Sequence, residues 1–356
     1  MDLMPEFRFD RVSDPAALSA RWRKLEAASQ GGFFRGWTYL GTLLPHFTDP
    51  HLLSVREGGE DRALGLFNRA GGLFHLHETG DRRWDRLYVE HNGLLIRPGD
   101  ADLVTPALAF CLQQGSLSLS GVDDRHARAA AASGEAHGRF EHFAPAIDLG
   151  ALARSGVDIL DTISGNARSQ IRRAMRLYGS ALSIEPARTL AQAQQYFDRL
   201  AALHQQSWIA RGHEGAFADP AIRHFHKVLI EAGLPRGEVH LLRVCAGEQE
   251  LGLLYLFRHG GRVLSYQSGF VQDVDPRRKP GLICHTLAIR LARDEGASVY
   301  DFLAGAQRYK TTLAPSGGET LHWLTVHRRG SPGARWARLK RVVGQTRRAL
   351  RSAPGR

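Results

Sequence analysis

Residues 263–287 read VLSYQSGFVQDVDPRRKPGLICHTL, and three signals meet in them. Val263 to Phe270 reads as a strand bounded by turn residues. The next segment, Gln272 to Lys279, carries five charges in eight residues and ends in Arg277-Arg278-Lys279. Pro280-Gly281 then opens a helix, where the missing N–H of proline costs nothing. The N-terminus of a helix presents free N–H groups and a partial positive charge, which suits a phosphate. Gly281 lets a backbone approach a ligand closely, and three adjacent cations suit a pyrophosphate. The same residues also describe a solvated loop with an ordinary Pro-Gly helix start. Their place in the chain, after a strand of a mixed sheet, favours the ligand-binding reading, because ligands gather at such strand ends.

Two strands precede this stretch, Val239 to Cys245 and Leu251 to Arg258. Gly247-Glu248-Gln249 and Gly260-Gly261 make turns short enough for antiparallel hairpins. The helix Leu282 to Asp294 ends at Gly296, and strand Val299 to Leu303, a short segment through Leu313 and a last strand Leu321 to His327 follow. Upstream lie a basic helix Ser164 to Leu177, strand Leu182-Ser183-Ile184, the amphipathic helix Leu190 to Ala210, and helix Ile222 to Ala232, stopped by Gly233 and Pro235.

The first half has a similar order. Helix Pro15 to Ala28, with Ser13 or Asp14 to cap it, precedes the aromatic run Phe33-Phe34-Arg35-Gly36-Trp37. Strands His51 to Arg56, Ala63 to Asn68, Leu73 to His77 and Leu94 to Ile96 follow. Helix Leu103 to Gln114, strand Leu117 to Leu119 and a strand within Ala144 to Leu149 complete it. The expected fold is α/β with a mixed sheet, arranged as a duplicated domain. The boundaries read as 1–155, 156–328 and a basic tail, 329–356, although no residue-level repeat is visible.

Bulk composition agrees with a globular chain of two domains: 356 residues, 43% hydrophobic and 23% charged. The net charge of +11 first points to nucleic acid. Its location points elsewhere. From Arg328 to Arg356 there are ten Arg or Lys residues and no acid, and the rest of the chain holds 37 basic and 36 acidic residues. A basic field over the body is therefore excluded as a reason to expect nucleic acid. Cys111, Cys245 and Cys284 are far apart with no CxxC pair, so neither a disulfide framework nor a structural zinc site is expected, and a reducing cytoplasm fits. His75-x-His77 and His224-x-His226 lack ligand partners at metal spacing, so no metal is expected. No GxxxxGK[ST] or GxSxG pattern is present, which argues against NTPase and α/β-hydrolase readings. Met1 to Arg11 has no apolar run of signal-peptide type, and Leu103 to Val122 is too polar to span a membrane.

A resemblance sharpens this reading. Its carriers are Ser164 to Gly179, Trp208-Ile209-Ala210-Arg211-Gly212 with Phe217, Lys279-Pro280-Gly281-Leu282, Tyr300-Asp301-Phe302-Leu303-Ala304-Gly305 and Tyr309-Lys310. In order and spacing, the half from about Ile159 to Arg328 resembles the GNAT superfamily of acyl-CoA-dependent N-acyltransferases. More narrowly it resembles the group typified by the cellulose-biosynthesis protein CelD, related in fold to FemAB-type aminoacyltransferases. The first half is similar only loosely, as a degenerate domain of the same kind. In the superfamily the pyrophosphate loop reads Arg/Gln-x-x-Gly-x-Gly/Ala. Here Arg278-Lys279-Pro280-Gly281-Leu282-Ile283 keeps the Arg and the first Gly, and Ile283 departs from the small last residue.

The resemblance implies acyl transfer from acyl-CoA, such as acetyl-CoA, to an amine, with Arg277, Arg278, Lys279, Gly281 and Leu282 holding the donor. It implies Asp301 as base, Tyr309 as the acid that protonates the thiolate, and His204 as a second base, one helical turn before Trp208. Trp208, Arg211, Gln267 and Lys310 are the implied substrate-binding residues. Gly212 reads as a helix C-cap. The acceptor class is an amino sugar, a polysaccharide precursor or a small amine, in a cell-envelope or exopolysaccharide pathway. Two alternatives stand beside this: an aminoacyl-tRNA donor, with the clusters Arg168 to Arg176 and Arg277 to Lys279 on the RNA, or a non-catalytic binding module. The tail has Trp336, Leu339, Val343 and Leu350 on one helical side, a pattern that suits an anionic membrane surface and equally a solvated basic tail. Its expected place is the cytoplasm, with the tail at the inner face of the membrane.

Overall fold

The structure is a computed structural model and describes residues 4–29, 31–179 and 181–340. Along the chain run β1 (Glu6–Arg11), α1 (Pro15–Ala27), α2 (Trp37–Leu43), β2 (Pro50–Glu57), β3 (Glu60–Ala70), β4 (Leu73–Leu76), β5 (Leu95–Ile96), α3 (Val104–Gln114), β6 (Ser116–Val122), α4 (Asp124–Ser133) and β7 (Glu135–Asp148). The second half continues with α5 (Leu149–Ser155), α6 (Ile159–Thr162), α7 (Gly165–Leu177), β8 (Leu182–Pro186), α8 (Leu190–Ile209), α9 (Pro220–Gly233), β9 (Val239–Ala246), β10 (Gln249–His259), β11 (Arg262–Phe270), α10 (Pro280–Asp294), β12 (Val299–Asp301), α11 (Arg308–Leu313) and β13 (Gly318–His327). Among the described residues no helix is long and apolar enough to cross a membrane.

The chain divides into two compact units. Unit 2 comprises residues 38–43 and 142–320. Its strands lie in the order β8-β9-β10-β11-β12-β7. β8 to β11 form an antiparallel ladder, β12 is parallel to β11, and β7 is antiparallel to β12. The helices begin where side chains satisfy their free N–H groups: Thr189 accepts from the Gln192 amide at 3.2 Å at the start of α8, and Asp219 from Ala221 at 2.9 Å at the start of α9. α8 buries Ala193, Phe197, Leu200, Ala201 and His204 along one stripe, the spacing of an amphipathic helix. It packs on β11 so closely that a Cβ on Gly269 would lie 2.6 Å from the Leu200 carbonyl oxygen. On the other face, α5, α6, α7 and α10 share a core with the sheet, built from Leu160, Ile171, Leu254, Ile283, Ala288 and Tyr300.

Unit 1 comprises residues 1–37, 44–141 and 321–356. Its order is β1-β2-β3-β4-β6-β13. β1 to β4 are antiparallel, β6 is parallel to β4, and β13 is antiparallel to β6. This is the sequence of pairings found in unit 2, with α3 as the crossover between the parallel strands where unit 2 has α10. The duplication absent at the level of residues is present in the topology. Its core gathers Phe67, Leu76, Leu94, Leu108, Cys111, Leu117 and Val326.

The units do not follow the boundaries read from the sequence. Each unit's closing strand comes from the other half of the chain: β13 closes the sheet of unit 1, and the end of β7 closes that of unit 2. A cut at 155/156 would separate both from their partners. β1, α2, α4, α5, α6 and the front of β7 escaped the pattern altogether. α4 is an alanine-rich run without periodic apolar residues, started by Asp123, whose carboxylate accepts from the His126 amide at 2.9 Å. The front of β7, Gly138 to Phe143, is exposed throughout, Phe140 and Phe143 included, so no buried face imposes an alternation to read. Residues 332–340 are helical, with Trp336 and Leu339 exposed, and the rest of the expected tail helix, including Val343 and Leu350, lies outside the described residues.

Candidate functional site

β11 and β12 pair only through Arg262↔Val299, Val263↔Tyr300 and Leu264↔Asp301. Beyond Leu264, β11 continues to Phe270 with no strand on that side among the described residues. An edge without a partner strand can take an extended, amide-bearing chain as a strand would. A bulge also falls here. Tyr255 pairs with Gln267 and Leu256 with Ser265, so Tyr266 is the extra residue. The bulge turns Tyr266 and Gln267 to the same face: Tyr266 packs with Tyr255, Phe257 and His226, and Gln267 reaches His204.

The edge leads to the start of α10. Lys279 is the N-cap, in a left-handed conformation (φ 44°), and no side chain caps the first turn. The Leu282 N–H turns back to the Lys279 carbonyl at 3.1 Å. The uncapped first turn is the anion-binding feature expected from the sequence, but the cations differ from expectation. Arg277 is bound by Asp275 through contacts of 2.8 to 3.1 Å. This contact holds the Asp275 carboxyl down at about 2. Arg278 pairs with Asp273 at 3.3 Å and lies 5.1 Å over the Tyr178 ring. Two of the three expected phosphate ligands are thus neutralised within their own loop, and Lys279 is the one without an acidic partner among the described residues. Gly281 also has a second reason to be glycine: a Cβ there would lie 3.0 Å from the Phe270 ring. Leu282 is half-buried against the unit 2 core, and Ile283 is fully buried in it, so the departure at Ile283 is a packing choice.

Tyr309, on the short α11, lies flat on His285 of α10, with ring centroids 4.7 Å apart and planes 13° apart. The edge of Phe302 closes one side, with ring centroids 5.9 Å apart. Burial pushes the phenol up to about 12, so it is protonated at any physiological pH and is a donor, not a base. His285 is buried, and burial lowers its imidazole to about 3. Tyr300 reaches Nδ1 at 3.5 Å, while Nε2 has no hydrogen-bond partner.

Asp301 is placed differently from the base implied by the resemblance. It is fully buried, one oxygen 2.6 Å from Arg262 and the other accepting from the Leu303 N–H at 2.7 Å. Leu303 is left-handed (φ 60°), so this bond holds an unfavourable turn. Both of its oxygens are therefore engaged within the fold. Lys310 is also engaged, its buried ammonium donating to the Leu303 and Ala304 carbonyls at 3.0 and 2.7 Å. Asp301 and Lys310 thus fix the 301–305 turn that leads to Tyr309, and substrate binding by Lys310 is displaced by this role.

His204, Trp208, Arg211 and Gln267 come together on the α8 side of the sheet. The Trp208 indole donates to His204 Nε2 at 2.9 Å. Burial lowers His204 to about 4; Gln205 and Gln267 oppose that shift and the Arg211 charge adds to it. Its proton-accepting nitrogen is occupied, so His204 orients Trp208 and is not a free second base. Arg211 is exposed in the turn after α8, with no acidic partner among the described residues. Ala210 is the C-cap, and Gly212 sits two residues on at φ 78°. On α7, Arg168 and Arg172 both hold Asp161, at 3.0 and 3.3 Å.

Among its described residues, unit 1 lacks the corresponding donor features. β4 ends at Leu76, one residue past its parallel pairing with β6, so no long edge is left open. The loop before α3 carries Asp100 and Asp102 where unit 2 has its cations, which repels phosphate. The sequence reading missed His285 and Phe270. The signal for His285 was its spacing, four residues after Gly281 and so on the same helix face.

Residues 165–311 match the family model described as the acetyltransferase (GNAT) domain. No curated protein matches the chain. Among solved structures, FemX aligns with 90% of this chain and 96% of its own at 10% identity, with a TM-score of 0.60. L-PGS from Bacillus licheniformis aligns with 94% of this chain and 98% of its own at 11% identity and a TM-score of 0.56. The C-terminal domain of a putative lysylphosphatidylglycerol synthetase from Agrobacterium fabrum aligns over 90% and 94% at 11% identity and 0.55. At these identities the likeness is one of fold, and it runs through both units.

Proposed function

We propose that this chain, whose residues 165–311 match the GNAT acetyltransferase domain, transfers an acyl group from acyl-CoA to an amine. The observation that carries the reading is the open edge of β11 ending at the uncapped start of α10. The pantetheine arm of coenzyme A is an extended chain with two amides, suited to the edge, and its pyrophosphate suits the Lys279–Leu282 turn. The amine attacks the thioester carbon, the C–S bond breaks, and Tyr309 gives its proton to the departing sulfur. The ammonium proton of the acceptor leaves to water before attack, and the second N–H proton leaves to water as the C–N bond forms, since Asp301 and His204 are engaged. The products are an amide and a free thiol, and Tyr309 is reprotonated by solvent.

Trp208 and the exposed Arg211, which has no acidic partner among the described residues, favour an acceptor with a flat or apolar face and a nearby anionic group, such as a carboxylate or phosphate. An amine of the cell-envelope or exopolysaccharide kind meets that description. The neutralised Arg277 and Arg278 favour a second reading, in which the donor is an aminoacyl-tRNA and the pyrophosphate site is vestigial. Isothermal titration with acetyl-CoA and with charged tRNA separates the two. Binding of acetyl-CoA that Lys279→Ala weakens supports the first, and tRNA binding without acetyl-CoA binding replaces it with the second. A non-catalytic module predicts that Tyr309→Phe leaves cellular function intact. The exposed Trp336 and Leu339 beside a wholly basic tail support contact with an anionic membrane surface.

A further inference from the structure

Resting on the acyl-transfer reading, we propose that His285 is a positioning residue: its imidazole face sets where the Tyr309 hydroxyl stands relative to a donor held at the start of α10. Gly281 and His285 are one helical turn apart and face the same way. Both touch Phe270, Gly281 through the space a Cβ would need and His285 with ring centroids 5.7 Å apart. Tyr309 lies nearly parallel to the imidazole, with ring centroids 4.7 Å apart. One rigid helix therefore carries both the anion-binding turn and the platform on which the proton donor rests.

Tyr309 needs such a platform. α11 has six residues, too few to be a stable helix by itself. The chain reaches it through a turn with Leu303 and Gly305 at positive φ, fixed at one end by Asp301 and Lys310. That turn fixes the backbone, but the ring direction is fixed by the flat face of His285 and the edge of Phe302, which also meets His285 with centroids 5.5 Å apart. The ring must be planar to do this. Its nitrogens contribute little, since Nε2 has no partner and the Nδ1 contact with Tyr300 is long. Phenylalanine is then a competent replacement and leucine is not.

Thiol release from acetyl-CoA is measured for wild type, H285F and H285L against glucosamine and amino-acid acceptors, with thermal unfolding of each. In parallel, the Tyr309 resonance is followed in 3-fluorotyrosine-labelled protein, assigned by its loss in Y309F. H285F is expected to keep kcat within about twofold. H285L is expected to lose about tenfold in kcat with KM for acetyl-CoA within twofold, and its Tyr309 resonance is expected to move. An H285L variant with wild-type kcat, or an H285F variant as impaired as H285L, overturns the inference. A wild-type protein that transfers no acyl group overturns the acyl-transfer reading itself, whereas an active wild type with an unaffected H285L sinks only the positioning role.

Discussion

Replacing Asp301 with asparagine separates a structural carboxylate from a catalytic base. The carboxylate is fully buried, and its contact with Arg262 is 2.6 Å. Removing one partner of a buried pair costs about 3–5 kcal/mol, because the other charge is left unmatched. Two features lower that figure here. The Arg262 side chain is 36% exposed, and it keeps a second partner, Glu319, at 2.9 Å. Asparagine also retains an oxygen for the Leu303 N–H. The expected loss is then about 2–3 kcal/mol. For a unit of this size that is a fall of about 4–12 °C in Tm. Asp301→Ala, which also orphans the Leu303 N–H, should lose about 1–3 kcal/mol more. Circular dichroism melts of both variants, run beside Glu319→Gln as a control, give the answer. If D301N melts within 1 °C of wild type while kcat collapses, the carboxylate is a base and the structural assignment is wrong.

Tyr309→Phe should lower kcat about a hundredfold, the usual scale of a lost general acid, with an unchanged melt; because the phenol is held at about 12, the wild-type rate should show no loss of this acid below pH 11. His77, His204, His226 and His285 are buried neutral, at about 3, 4, 3 and 3. Their folded values lie below the unfolded one of about 6.5, so the unfolded state binds the extra protons and stability falls as pH drops from 6.5 towards 4. Unfolding at pH 5 should take up about four protons from these groups, read from the slope of unfolding free energy against pH, and a flat profile between pH 7 and 5 would refute their burial as neutral rings. Gly269→Ala should destabilise by about 1–3 kcal/mol, since its Cβ meets the Leu200 backbone oxygen and not a side chain that can swing away; urea titration checks it. Co-sedimentation with phosphatidylglycerol vesicles should retain the protein and W336A/L339A should release it, while equal recovery with phosphatidylcholine vesicles would exclude an anionic-surface role.

Much of unit 2 was legible because its elements obey local rules. The glycine turns at Gly247 and Gly260-Gly261 mark the hairpins, and the stripe from Ala193 to His204 marks α8. The strand–loop–helix order at 263–287 locates the candidate donor site. What the sequence hid is non-local. The pairing of Arg277 with Asp275 and of Arg278 with Asp273 depends on loop conformation, so a run of three cations looked freer than it is. Asp301 and Lys310 are chemically plausible in a site, and only burial and partners reveal that they hold a turn. The closing strands were beyond reach for the same reason, since nothing in residues 318–327 announces that they pair with β6.

That exchange bears on how the chain is made. Synthesis proceeds from the N-terminus, and domains generally fold as they emerge from the ribosome. Unit 1 cannot do so to completion. Until Gly318 to His327 have been translated, β6 presents an open edge, and that edge persists through the synthesis of all of unit 2. An exposed strand edge invites pairing with other chains. The nascent protein therefore depends on being shielded until its last strand arrives, and the two halves reach their folded state together although they are separate units once folded.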